Sequence, residues 1–118
     1  MDDLKTYSDL VPLARLEGDS VIASVRGEID LHNSPEFRDA LLTLIATAKP
    51  KNLVLNMSEV SYMDSSAIAV LVESLRKLRV TGGALYLVAP HDRVRSVLEI
   101  AHLDSIFKIV TSEAAALG

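Results

Sequence analysis

Cysteine is absent from this chain of 118 residues. That excludes a disulfide framework, a thiol nucleophile and a cysteine-based zinc site. Tryptophan is absent too, and aromatic residues make up only 4%. The core must therefore be built from Leu, Ile, Val and Ala, and recognition of nucleic acid by base stacking has little to work with. No apolar run approaches the ~18 residues of a membrane span. The start, Met1-Asp2-Asp3-Leu4-Lys5-Thr6, has neither a basic nor an apolar stretch of the kind a signal peptide needs. Excess positive charge is also missing: 12 basic residues against 16 acidic give a net charge of −4. That does not favour binding to nucleic acid or to an anionic membrane. A cytoplasmic protein is the expectation.

The composition that remains, 49% hydrophobic and 24% charged, is that of a globular protein, and the length suits one domain. Residues 1–9 are polar and unpatterned and read as a flexible terminus, leaving a single domain over 10–118. Leu10 to Leu16 is apolar with Pro12 inside it, as at an edge or strand start. Glu17-Gly18-Asp19-Ser20 is a turn by composition. Val21 to Ile29 then alternates, with Val21, Ala23 and Val25 on one face and Ile22, Ser24 and Arg26 on the other. These two stretches predict an N-terminal hairpin.

Ser34 is a good N-cap and Pro35 suits the first helical position. Phe37, Leu41, Leu44, Ile45 and Ala48 follow at helical spacing, and Lys49-Pro50-Lys51 ends the helix. Leu53 to Met57 reads as a central strand covered on both faces, then a short turn, then a helix starting at Asp64-Ser65-Ser66. Its apolar stripe is Ala67, Ile68, Leu71, Val72, Leu75 and Leu78. Val70 falls off that stripe, either as an isolated exposed residue or as part of a partner surface. Glu73 and Lys77 are spaced to pair along its wet side, and Gly82-Gly83 stops it. Ala84 to Val88 is another inner strand. Pro90-His91-Asp92 opens a helix carrying Val94, Val97, Leu98 and Ala101. Ile106 to Val110 is a last strand, and Thr111 or Ser112 can cap a short Ala-rich helix. The fold class is α/β: a mixed, mostly parallel sheet of four to five strands with an antiparallel N-terminal hairpin and about four helices.

In open sheets of this kind, partners meet the carboxyl ends of the strands. Asp30 follows the second strand and Asp64-Ser65-Ser66 the third, so the two acids share one rim if those strands are neighbours. From spacing alone, Asp64 or Ser65 is a helix cap and Asp30 a turn residue. An exposed hydroxyl at a helix start is also well placed to receive a phosphate. A hydrolase fits poorly. There is no Gly-x-Ser-x-Gly elbow, and His32, His91 and His102 have neither metal-ligand spacing nor a catalytic cue. No phosphate-binding loop, cofactor or metal site is predicted.

These same residues resemble a known family. Val54-Leu55-Asn56-Met57-Ser58 through Tyr62-Met63-Asp64-Ser65-Ser66 is similar to the signature of bacterial anti-sigma factor antagonists, the small stand-alone STAS domains. Gly27-Glu28-Ile29-Asp30 resembles their upstream Gly-Glu-Leu-Asp motif, and Leu98 with Phe107-Lys108-Ile109 their C-terminal segment. The resemblance implies partner switching. The unphosphorylated antagonist binds an anti-sigma factor that is also an ATP-bound serine kinase, and thereby frees the sigma factor. The kinase phosphorylates the serine matching Ser65, and a phosphatase of the PP2C type reverses this. Asp30 and Asp64 match acids of the kinase-binding surface, and Ser66 the neighbouring hydroxyl position. Ala67 stands where the family usually has Gly, which bears on which kinase recognises the chain. Two alternatives compete: a structural STAS subunit that is not phosphorylated, and a small hydrolase using Ser65.

Overall fold

A computed structural model describes residues 2–4 and 8–118, with side chains from Ser8 onward. It contains six strands paired in chain order: β1 (Asp2–Leu4), β2 (Leu13–Glu17), β3 (Ser20–Ile29), β4 (Asn52–Met63), β5 (Ala84–Val88) and β6 (Lys108–Val110). Four helices join or follow them: α1 (Ser34–Ala48), α2 (Ser65–Arg79), α3 (Asp92–Ile100) and α4 (Glu113–Leu117). The predicted hairpin is β2–β3. It closes through a two-residue loop between the paired Glu17 and Ser20, where Gly18 takes a φ of +63°. From β3 to β6 the pairing is parallel throughout. The mixed, mostly parallel architecture is thus as the pattern predicts, with one strand more. That strand is β1, antiparallel to β2 at the edge, within the stretch expected to be a loose terminus. Ser8 is fastened as well, its hydroxyl donating to Glu36 of α1 at 2.7 Å; residues 1 and 5–7 lie outside the described residues.

Three crossovers running the same way, of the usual right hand, leave α1, α2 and α3 on one face of the sheet. Burial agrees. Val21, Ala23 and Val25 of β3 share one cluster with Phe37 and Leu41 of α1, Leu71 of α2 and Leu98 of α3. The opposite face carries the smaller cluster of Ile22, Val54 and Val88, on which Ala116 of α4 packs. Ser112 caps α4, its Oγ accepting the N–H of Ala115. Glu113 then fastens it, accepting from Arg15 at 2.9 Å and from Asn56 at 3.0 Å. These two hydrogen bonds and the Arg15 charge hold the Glu113 carboxyl below its ordinary range. No helix among the described residues is long and apolar enough to cross a membrane.

Several local expectations need correction. The third strand does not end at Met57 in a turn but runs on to Met63. β3 is long enough to pair with it, and two irregularities absorb the mismatch. Val25 stands opposite both Met57 and Ser58, and Ser61 is extra between the pairs Gly27–Val60 and Glu28–Tyr62. The first bulge is stitched by Asn56, whose Oδ1 accepts from both the N–H and the Oγ of Ser58. Polar Ser58 and Glu59 face solvent while Val60 and Met63 are buried. That is why the stretch reads as a turn by composition. Val70 is neither exposed nor available to a partner. It is buried in the main core, because α2 lies beside α1 and needs a second apolar flank. Glu73 pairs with Arg38 of α1 through two 2.7 Å contacts, not with Lys77 in the predicted salt bridge. Helix α1 starts at Ser34, so Ser34 is not the cap. Asn33 precedes it, with its side chain turned back toward Asp30. The last strand is shortened to three residues, and Phe107 before it is buried in the core.

The stop after α1 is strained. Lys49, immediately before Pro50, closes the helix in the left-handed region at φ 47° and ψ 52°, donating its N–H to Ile45. A side chain is disfavoured there. Lys49→Gly should stabilise the protein by about 0.5–1 kcal/mol in urea unfolding; an unchanged or lowered midpoint contradicts this.

Candidate functional site

The long pairing of β3 with β4 positions the site. Ile29 lies beside Met63 in the final pair, and the N–H of Asp64 donates to the carbonyl of Ile29 at 3.1 Å. Asp30 and Asp64 therefore leave adjacent strands at one rim, as the sequence predicts for neighbouring strands. Asp30 organises the loop into α1. Its Oδ1 accepts the N–H of His32 at 2.9 Å, and its own N–H donates to Asn33 Oδ1 at 2.8 Å. Asn33 Nδ2 donates in turn to the carbonyl of Glu28.

Asp64 caps α2. Its backbone is extended and its Oδ1 accepts from the N–H of Ser66 at 2.9 Å, the Oγ of Ser66 at 2.5 Å and the N–H of Ala67 at 3.2 Å. Oδ2 accepts the N–H of Leu31 at 2.9 Å. One carboxylate thus ties the start of α2 to the β3–α1 loop. The Ser66 hydroxyl, followed by the backbone N–H groups of Ala67, Leu31 and Ser66, lowers the Asp64 pKa from its ordinary value of 3.8.

Ser65 is the first residue of α2 and is exposed. Its hydroxyl has no hydrogen-bond partner among the described residues, unlike that of Ser66. No histidine or carboxylate engages it, so nothing here activates it as a nucleophile in the manner of a hydrolase. It is an unpartnered alcohol at the positive end of a 15-residue helix. Ala67, which the family resemblance places at the partner-binding surface, offers no side chain there. It is fully buried, and its methyl lies in the core.

The histidines are accounted for otherwise. His32 and His102 are exposed, and His91 precedes α3 with its ring nitrogen 2.7 Å from the carbonyl of Ser58 at the bulge. Among the described residues no group of His, Asp and Glu could hold a metal ion.

Two features of the surroundings escape sequence reading. A groove of about 610 Å³ opens beside Ser65 between α2 and α3, lined by Ile68, Ala69 and Val72 on one side and Val97 and Leu103 on the other. Glu73 and Arg76 supply its polar edge. Val72 and Val97 sit on the apolar stripes of their helices, as the sequence shows, but that they are only half buried emerges from the structure alone. The second is Leu31, which is 76% exposed on the rim loop.

Comparison with known proteins gives four further findings. Residues 12–116 match the family model described as the STAS domain. The chain is 31% identical over 99 residues to a Thermotoga neapolitana protein named as an anti-sigma factor antagonist homologue, spanning 84% of this chain and 88% of that one. It is 29% identical over 85 residues to the anti-sigma-B factor antagonist of Staphylococcus aureus, spanning 72% and 78%. Among solved structures, an anti-sigma factor antagonist from Mycobacterium paratuberculosis matches with a TM-score of 0.79 at 27% identity, over 89% and 88% of the two chains.

Proposed function

The chain belongs to the STAS domain family, among relatives named anti-sigma factor antagonists, and on that premise we propose that it is a phosphorylation-controlled antagonist of an anti-sigma factor. In its unphosphorylated form it binds, in the cytoplasm, an anti-sigma factor that is also a serine kinase carrying ATP. The kinase transfers phosphate to Ser65 and the complex separates; a PP2C-type phosphatase restores the binding form. The chain acts as substrate and binding partner, not as enzyme.

The observation that carries this reading is the hydroxyl of Ser65, exposed and unpartnered on a rim where the Asp64 carboxylate and the Ser66 hydroxyl are already hydrogen-bonded. In the transfer, Ser65 Oγ attacks the γ-phosphorus of ATP. The new O–P bond replaces the bond to the β-phosphate oxygen, ADP leaves, and the hydroxyl proton is lost. The product adds about −1.5 to −2 charges at the start of α2. Asp64 already occupies the N–H groups of Ser66 and Ala67. The phosphate therefore meets a carboxylate next door rather than an empty helix terminus. The backbone has no need to refold. What changes is the charge and shape of the surface presented by Ser65, Ser66 and Asp30 and by the groove along α2.

The test is intact-mass spectrometry with peptide mapping after incubation with ATP and each kinase-type anti-sigma factor encoded in the same genome. One added phosphate, on Ser65, is expected with the cognate kinase, and none in Ser65→Ala. No phosphate and no stable binding with any of them would favour the structural subunit instead, with Ser65 no more than part of a capped helix start.

A further inference from the structure

We propose that Leu31 is an apolar anchor of the surface that meets the kinase, a knob held ready on the β3–α1 loop to enter a pocket of that partner; this rests on the function proposed above. A single exposed leucine is ordinary on a protein surface. Two observations set this one apart.

The first is its mounting. Its own N–H is held by Asp64 Oδ2 at 2.9 Å, and the N–H groups on either side, of Asp30 and His32, are held by Asn33 Oδ1 and Asp30 Oδ1. Asn33 is anchored in turn to the carbonyl of Glu28. The backbone of the loop is therefore fixed while the leucine side chain is 76% exposed. A knob mounted this way pays little ordering entropy when it is buried in a complex.

The second is its position. The residue that holds the Leu31 N–H is the one immediately before Ser65. One hydrogen bond and one residue step place Leu31 within roughly 10 Å of the hydroxyl to be phosphorylated. A kinase that brings ATP to Ser65 must enclose that hydroxyl. A standard interface of about 800 Å² per partner extends well beyond 10 Å from its centre. Leu31 falls inside such a footprint, within the rim, where a side chain that fills a well-packed, fully desolvated pocket contributes strongly to binding. By contrast Val80, 84% exposed, follows the far end of α2 and falls outside it.

The experiment measures the affinity of the kinase-type anti-sigma factors from the same genome for wild type, Leu31→Ala, Leu31→Met and Val80→Ala, alongside the rate of Ser65 phosphorylation and thermal unfolding of each variant. Leu31→Ala is expected to weaken binding about tenfold or more. It should raise the KM for phosphorylation while leaving kcat and the unfolding midpoint unchanged. Leu31→Met should retain most of the affinity, and Val80→Ala all of it. If wild type binds and is phosphorylated but Leu31→Ala binds within twofold of it, the anchor is refuted and the proposed function stands. If no kinase binds or modifies wild type, the proposed function falls and Leu31 with it.

Discussion

Ser65→Asp should weaken binding of the kinase partner by about 100-fold, whereas Ser65→Ala should bind as wild type does and never let go through phosphorylation. The size follows from burying an unpaired carboxylate in an interface built around a neutral hydroxyl, about 2–3 kcal/mol in affinity. The fold should not notice either change. The Ser65 side chain is exposed, and an acid at the start of α2 sits at the favourable end of the helix dipole. Titration calorimetry with unphosphorylated protein gives the affinities, and urea unfolding should place all three proteins within about 0.5 kcal/mol of each other. Equal affinity for wild type and Ser65→Asp would sink the switch, because charge at Ser65 is its whole mechanism.

Removing the Asp64 carboxylate should do the opposite, acting on the fold first. Asp64→Ala loses the cap of α2, the partner of the Ser66 hydroxyl and the acceptor of the Leu31 N–H together. A lost cap costs about 1 kcal/mol, and an orphaned N–H adds to that, so about 2–3 kcal/mol is expected in urea unfolding. Asp64→Asn separates the two duties. Its amide oxygen can still serve α2, but its NH₂ cannot accept from Leu31, so about half the loss should remain. A loss below 0.5 kcal/mol in both variants would mean that the carboxylate holds nothing. The acid dependence has a definite sign. The Asp64 pKa is lowered on folding, so its contribution is full above the ordinary value of 3.8 and is lost as pH falls through the lower folded value. The stability gap between wild type and Asp64→Asn should therefore be constant at neutral pH and narrow below about pH 4.

The parts of the fold that were legible in the sequence are those in which one period runs uninterrupted. The stripe from Phe37 to Ala48 and the alternation from Val21 to Arg26 report burial directly, and the structure places them accordingly. The misreadings share a different physics. Ser58 and Glu59 look like a turn because a strand with bulges breaks the two-residue period that identifies strands. Val70 looks stray because a helix packed against both a sheet and another helix buries more than one stripe. Glu73 is spaced to pair with Lys77 one helical turn on, while its partner arrives from α1, 35 residues away. At the rim, the placement of Asp30 and Asp64 on neighbouring strand ends was legible from the strand order, although caps and turns alone would account for their residue types. Their connection through the Leu31 N–H was not, because a backbone hydrogen bond across 33 residues leaves no mark on residue type.

The order of the strands in the sheet is the order of the strands in the chain. Each new strand therefore finds its neighbour already made. The sheet can be laid down by addition at one moving edge as the polypeptide emerges, without holding a place open for a later segment to insert. Among the described side-chain hydrogen bonds the last helix reaches back furthest, when Glu113 meets Arg15 across 98 residues. The strand order is thus compatible with assembly from the N-terminus onward, with the Arg15–Glu113 ion pair closing the chain's two ends on each other.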